Sequence, residues 1–258
     1  MIDSHCHLDF KDFDSVRDQM VAEAREAGVH TIVNIGVDLE TSKRSVALAE
    51  KYDMIYATVG VHPHDAKTWN ENVEEELMVL AIHEKVKAVG EIGLDFYRDN
   101  SPRPAQRKAF YEQLKMATKL KLPVVIHTRE AFGETLDIVK EFAPYLTGGV
   151  FHCFPGDIDD AYKVFELGFI ISVGGVITFR NSRMSRVATE VPLEKIMLET
   201  DAPYIAPEPF RGKMNHPAFV VHSGRKLAEL KKISYDEVEK ITDRTTRKFF
   251  KLVETFEG

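Results

Sequence analysis

Cysteine is scarce in this sequence, with only Cys6 and Cys153 among 258 residues. Two cysteines exclude the disulfide framework of a small secreted protein, and a reducing compartment is the default for such a chain. No apolar run approaches the roughly 18 residues that are needed to cross a bilayer. The first residues also lack the basic segment followed by an apolar one that marks a signal peptide. We therefore expect a cytoplasmic protein without a membrane segment.

Positive charge is also in short supply. The chain has 34 Lys and Arg against 41 Asp and Glu, which gives a formal net charge of -7. A protein that wraps duplex DNA usually carries a basic face that shows in this balance. A site that binds only the end of a strand needs few phosphate contacts, so an acidic chain remains compatible with a nucleic-acid substrate.

Short apolar runs alternate with amphipathic stretches along the chain, and hydrophobic residues make up 44% of it, which argues against disorder. The runs rich in β-branched residues predict eight strands: Met1–His5, His30–Gly36, Met54–Val59, Val86–Ile92, Pro123–His127, Gly149–His152, Phe169–Val173 and Lys195–Glu199. The amphipathic stretches predict nine helices: Val16–Ala27, Thr41–Glu50, Val73–His83, Pro104–Leu120, Thr135–Phe142, Asp157–Leu167, Ser185–Glu190, Ala218–Leu230 and Tyr235–Phe256.

Eight strands that are each followed by a helix predict an α/β protein of the (β/α)8 TIM-barrel type, here with an additional C-terminal helix. Continuous apolar strands such as Val124-Val125-Ile126 suit a parallel sheet that is buried on both faces. A doubly wound open sheet is the alternative, but it usually has a Gly-rich turn after its first strand, where this chain has histidines. Since no linker divides the sequence, residues 1–258 are predicted to form one domain.

Residues of the types that bind metal ions follow several of the predicted strands. His5 and His7 are two residues apart at the end of the first strand, and such residues point to the same face of extended chain. This pair alone is a weak signal, but four further residues occupy equivalent places after later strands: Glu91, His127, His152 and Asp201. The carboxyl ends of barrel strands form one rim, where barrel active sites lie. The six residues together predict a metal centre on this rim.

Imidazole and carboxylate ligands favour borderline or hard divalent ions, such as zinc, manganese, magnesium or iron. A pair of such ions activates water and binds a phosphoryl or acyl centre. Glu91 is placed to bridge two ions, and Asp201 to bind one ion and to orient the attacking water or accept its proton. We therefore predict a hydrolase that uses two divalent ions, with Glu91 and Asp201 as its catalytic residues.

With these residues the chain resembles the TatD-like metal-dependent deoxyribonucleases. The segments that carry the resemblance run almost from end to end: Asp3–Leu8, Gly60–His64, Gly90–Tyr97, Pro123–Arg129, His152–Phe154, Leu198–Pro203 and Arg211–Asn215. One departure is visible, because the family often has Asn-Glu-Pro where this chain has Asn215-His216-Pro217. That position lies outside the predicted metal ligands and affects only the expected loop or substrate contacts.

The resemblance implies one ion on His5, His7, Glu91 and Asp201, and a second ion on Glu91, His127 and His152. It also implies phosphodiester hydrolysis, often as a 3′-to-5′ exonuclease on single-stranded DNA. The candidate substrate-binding residues are His62, His64, Asp95, Arg129 and Arg211. Each has a plainer alternative, since the two histidines can simply shape a Pro-containing turn and the charged residues can orient a ligand or be solvated loop charges. Tyr97, Phe154 and Phe179 are candidates to stack bases, with ordinary packing as the default.

Two other functions fit the same residues. A metal-dependent ester or amide hydrolase, such as a D-aminoacyl-tRNA deacylase, needs no basic groove, and the acidic charge balance favours that reading. A metal-stabilised binding scaffold without catalysis belongs to a different class, and the complete ligand set with a bridging glutamate weighs against it.

Overall fold

The predicted strands form one parallel eight-stranded sheet in the computed structural model, which describes residues 1–252. The strands are β1 (Ile2–Cys6), β2 (Thr31–Asn34), β3 (Ile55–Val59), β4 (Val86–Asp95), β5 (Val124–Arg129), β6 (Gly149–Phe151), β7 (Ile170–Val173) and β8 (Ile196–Leu198). Each strand pairs with the next in chain order. A parallel bridge between Cys6 and Ala202 joins the first strand to the chain that follows the last one. The sheet is therefore a nearly closed barrel.

Helices alternate with the strands, as predicted. The described α-helices are α1 (Arg17–Glu26), α2 (Leu39–Lys51), α3 (Glu71–Leu80), α4 (Arg103–Leu120), α5 (Phe132–Phe142), α6 (Ile158–Glu166), α7 (Arg183–Glu190), α8 (Val220–Lys231) and α9 (Tyr235–Phe250). The last of them is the additional C-terminal helix, whose predicted extension to Phe256 falls partly on residues 253–258, outside the described residues. Within residues 1–252 no helix has both the length and the apolar character that a membrane span requires.

Polar side chains at the helix starts explain several of these boundaries. Asp38, Asn70, Asp157 and Ser234 each accept a hydrogen bond from a backbone N–H in the first turn of the helix that follows. Such a bond satisfies a donor that has no partner within the helix. Each of these residues stands next to or within three residues of a predicted helix start, so the local sequence sets where the helix begins.

The apolar residues of the strands separate into two clusters. One cluster contains strand residues such as Ile32, Val124 and Ile126 together with the apolar faces of the helices. The other contains alternate strand residues, among them Val33 and Val125. Since successive side chains point to opposite faces of a strand, the second cluster fills the barrel interior. Both faces of the sheet are thus buried, as the continuous apolar strands predicted.

Strands β4 and β5 continue further than predicted, so the candidate ligands Glu91 and His127 lie within these strands and not at their ends. The predicted ends at Ile92 and His127 are wrong, because Asp95 pairs with Arg129 beyond them. Gly93 makes the extension possible: it has φ +145 and pairs with His127, whose carbonyl oxygen would lie 1.9 Å from a Cβ at this position. Only glycine lets the two backbones approach so closely.

Candidate metal centre

The six predicted ligand residues come together at the carboxyl ends of the strands, with the Glu91 carboxylate in the middle. Its Oε1 atom lies 2.8 Å from His127 Nδ1 and 2.8 Å from His152 Nε2. Its Oε2 atom lies 3.4 Å from His5 Nε2 and 3.9 Å from His7 Nε2. The two oxygens of one buried carboxylate therefore face two different pairs of imidazoles.

Asp201 lies on one side of Glu91 only. Its Oδ1 atom is 3.4 Å from His7 Nε2 and 3.7 Å from His5 Nε2, the same imidazole pair that Glu91 Oε2 faces. Asp201 has φ +56, and its backbone N–H donates to the carbonyl oxygen of His5 across the barrel closure. The other side holds His127 and His152, whose facing nitrogens are 3.2 Å apart. The six side chains therefore surround Glu91, and their division into two ligand sets stays a prediction.

The polar atoms of this cluster suit divalent metal ions. Both ring nitrogens of His5 are buried and have no hydrogen-bond partner among the described residues. A buried polar atom without a partner loses its hydration without compensation, so an additional ligand is expected there. Three groups have donor atoms within 4.8 Å of one another: His5 with His152 and Asp201, His5 with His7 and Glu91, and His62 with Glu91 and His127. The residues present therefore fit a metal centre.

Hydrogen bonds orient the histidines towards the centre. His7 Nδ1 lies 3.1 Å from the carbonyl oxygen of Ile35, which fixes the proton on Nδ1 and leaves the Nε2 lone pair facing Glu91 and Asp201. His127 Nε2 lies 3.2 Å from Asp95 Oδ2, so its Nδ1 lone pair faces Glu91. Carbonyl and carboxylate partners of this kind usually orient metal-binding histidines.

The sequence analysis missed one carboxylate of the site, Glu199. It is fully buried beneath His152, and its Oε1 atom lies 3.7 Å from His152 Nδ1. The same oxygen accepts a hydrogen bond from the backbone N–H of Cys153, and the other accepts one from the Ser172 hydroxyl. A charged residue directly after the apolar strand Ile196–Leu198 was the available signal in the sequence.

The electrostatics of the cluster favour a bound cation. Burial opposes ionisation of Glu91, but His152, His62 and His127 outweigh it and hold the pKa of this carboxyl well below its usual value. Burial also lowers the pKa of His152, yet Glu91 and Glu199 outweigh burial and raise that pKa well above the usual value. Protons and metal ions therefore compete for the same imidazole nitrogens, and we expect metal affinity to fall as the pH is lowered.

His62 and His64 lie at the edge of the cluster and also shape their turn. His62 Nδ1 accepts a hydrogen bond from the backbone N–H of His64, so in neutral His62 the proton is on Nε2, which lies 3.5 Å from Glu91 Oε1. In this tautomer His62 presents an N–H donor towards Glu91. His64 Nε2 lies 2.9 Å from Asp95 Oδ2. The turn-shaping alternative is correct for His62, and its Nε2 also faces the site.

A cavity of about 850 Å³ opens above the cluster. Of the predicted substrate-binding residues, His62, His64, Asp95 and Arg129 line this cavity. Arg211 is not among its lining residues, and its guanidinium lies 4.3 Å from the centre of the Phe179 ring.

The burial of three further side chains decides where they belong. Phe154 is only 1% exposed, so the suggestion that it stacks a base is wrong and its default, core packing, is correct. Cys6 is buried in the core, whereas Cys153 is half-buried and lines the cavity.

Comparison with known proteins gives matches that extend over nearly the whole chain. The sequence profile of the family described as TatD related DNase matches residues 2–251. A Bacillus subtilis relative named uncharacterized metal-dependent hydrolase YabD is 36% identical over 98% of this chain and 99% of its own. A Cronobacter sakazakii relative named 3′-5′ ssDNA/RNA exonuclease TatD is 35% identical, and the match covers 97% of each chain.

Solved structures agree with these sequence matches. The crystal structure of YjjV, a TatD homologue from Escherichia coli K12, superposes with a TM-score of 0.92. Its sequence is 34% identical, and the superposition covers 98% of each chain. The barrel fold is therefore shared with this homologue over nearly the whole chain.

Proposed function

Since the chain belongs to the TatD related DNase family and is a metal-dependent hydrolase, we propose that it hydrolyses phosphodiester bonds at the ends of single-stranded DNA. The name of the Cronobacter relative, a 3′-5′ ssDNA/RNA exonuclease, supports this substrate and direction. The negative charge of the chain is compatible with them, because a strand end offers few phosphates for the protein to bind.

The observation that carries the proposal is the position of Glu91, whose two oxygens face separate imidazole pairs. One divalent ion would be held by His5, His7, Glu91 and Asp201, and a second by Glu91, His127 and His152. Such a pair supplies a water of lowered pKa and neutralises the charge that develops on a phosphoryl group. Zinc, magnesium, manganese and iron all suit these ligands.

The residues of the chain supply the other elements of hydrolysis. Asp201 borders the cavity with 15% of its side chain exposed and can accept the proton of the attacking water. Burial raises the pKa of Asp201, but the hydrogen bond from His7 and the nearby imidazoles of His5 and His152 outweigh burial and hold this pKa below its usual value. Asp201 is therefore ionised at neutral pH. The Nε2–H of His62 and the guanidinium of Arg129 can donate to phosphate oxygens.

An end-labelling experiment tests the function. The purified protein is incubated with single-stranded DNA, duplex DNA or RNA that is labelled at either end, and with D-aminoacyl esters of tRNA. We expect a ladder that shortens from the 3′ end of single-stranded DNA, complete inhibition by EDTA, and recovery when a divalent ion is restored. Ester hydrolysis without DNA cleavage would instead support the deacylase, and a metal-loaded protein with no turnover on any substrate would support the scaffold.

Removal of the Glu199 charge tests how His152 is held. We expect Glu199→Gln to lower metal affinity or hydrolysis by roughly 10- to 100-fold, the usual effect of losing a partner that orients a metal ligand. Isothermal titration with zinc or manganese and a cleavage assay measure the two effects. Glu190→Gln, at an exposed glutamate of α7, is the matched control. Unchanged affinity and rate in the Glu199 variant would show that His152 does not depend on this carboxylate.

A further inference from the structure

The cavity above the metal centre has two unlike sides, which we call the aromatic lip and the cationic lip. The aromatic lip consists of Phe10, Tyr204 and Ile205, which follow β1 and β8. The cationic lip consists of Arg98, after β4, and Arg129, at the end of β5. In a ring of eight strands in sequential order, β1 and β8 lie opposite β4 and β5. The two lips therefore face each other across the metal centre.

The aromatic lip offers ring surface without charge. Phe10 stacks on His7 with ring centres 4.6 Å apart and planes 18° from parallel. Tyr204 meets the edge of Phe10 at 6.3 Å and remains 53% exposed. All bases have a π-face, so exposed rings of this kind bind bases with little regard to sequence.

The cationic lip has two arginines whose charge is available to a ligand. The Arg129 guanidinium lies 3.9 Å from the centre of the Tyr97 ring, and Arg98 lies 5.7 Å from the same ring. Among residues 1–252, neither guanidinium forms an ion pair with a carboxylate.

Neighbouring arginines make a clear contrast with this pair. Arg103 binds Asp99 at 2.8 Å, and Arg107 pairs with Glu134. These two charges are already neutralised on the protein surface. Within the described part of the chain, Arg98 and Arg129 are also the only Lys or Arg side chains that line the cavity. The arginine charge is thus confined to one side of the cavity.

From this division, and on the basis of the proposed function, we infer that the cavity orients the strand. The base of the terminal nucleoside stacks on Phe10 and Tyr204, and the rest of the strand leaves over Arg98 and Arg129. A terminal nucleoside has a base and a sugar but no phosphate beyond it, so an uncharged aromatic surface suits it. The remaining strand carries a phosphate at every step, which suits the cationic lip. The same division disfavours a charged phosphate on the terminal hydroxyl, since that group would lie against the aromatic lip.

The test compares variants of the two lips on a pair of oligonucleotides that differ only in whether the terminal residue carries a base. We expect Tyr204→Ala to lower kcat/KM roughly 5- to 100-fold on the base-containing end, the effect of losing one stacking contact, and to have little effect on the abasic end. We expect Arg129→Gln to slow both substrates equally and to reduce the slope of log(kcat/KM) against log[salt] by about 0.7, the value for one lost phosphate contact on single strands.

Tyr145→Ala is the matched control, because Tyr145 is 68% exposed and follows α5 at the opposite end of the barrel. An equal loss on base-containing and abasic ends in Tyr204→Ala would overturn the inference while leaving the nuclease activity established. Faster cleavage of an end that carries a terminal phosphate would overturn it as well. If the wild-type protein cleaves neither oligonucleotide, the proposed function fails first, and the strand orientation fails with it.

Discussion

Glu91→Gln should reduce the rate of hydrolysis more than about 100-fold. Loss of a residue that only orients a metal ligand usually costs about 10- to 100-fold, and Glu91 is proposed to bind the metal ions directly. The substitution keeps the size of the side chain but removes the charge that faces four imidazoles from two directions. A neutral amide binds cations weakly, and its NH2 group would point at one of the two imidazole pairs. Both halves of the metal centre should therefore lose affinity together.

The measurements are the metal content after dialysis, the rate on single-stranded DNA, and circular dichroism to verify the fold. Glu75→Gln, at an exposed position of α3, serves as the control because it makes the same chemical change far from the cavity. If Glu91→Gln retained full metal content and more than a tenth of the activity, Glu91 would not bridge two ions.

Gly93→Ala should destabilise the protein by about 3 kcal/mol or more, because strained backbone and forced overpacking each contribute on the order of 1–3 kcal/mol. The new Cβ would lie 1.9 Å from the carbonyl oxygen of His127, and residue 93 has φ +145. The neighbouring group is backbone, so no side-chain rotation can relieve the contact. Strands β4 and β5 would have to separate, which would also displace Glu91 from His127.

Urea unfolding measures this change, and activity at low urea measures the displacement of the ligands. Gly133→Ala is the control, because residue 133 lies in α5 and has no atom within 4 Å of an added Cβ. Alanine in a helix is more stable than glycine by roughly 0.5–1 kcal/mol, so the control should unfold at slightly higher urea. Equal unfolding midpoints for both variants would contradict the close approach of the strands.

The barrel was predictable because its signals are local. A strand buried on both faces is a continuous apolar run, and a helix start such as Asp38 is set by hydrogen bonds within the next few residues. The candidate ligand residues could be found for a related reason. The apolar runs show approximately where each strand ends, and the closed barrel brings all of the carboxyl ends to one rim.

The remaining features depend on contacts between distant residues. Glu199 supports the chain near His152 through a hydrogen bond across 46 positions of sequence, and nothing local indicates that partner. Arg107 pairs with Glu134, whereas Arg129 has no carboxylate partner among residues 1–252. This difference depends on which carboxylates the other elements bring within reach. The extension of β4 past Glu91 depends on Gly93 meeting the backbone of β5. The cytoplasmic location stays a prediction.

The closure of the barrel between Cys6 and Ala202 also sets the order in which the two halves of the site can form during synthesis. Glu91, His127 and His152 all emerge from the ribosome well before Asp201. His5 and His7 emerge first of all, yet their set is complete only when the segment after β8 docks beside β1. Before that segment is made, a nascent chain would have the full ligand set for only one of the two proposed ions. Retention of both proposed ions would therefore require the whole barrel, so the number of ions retained per chain would serve as a readout of finished folding.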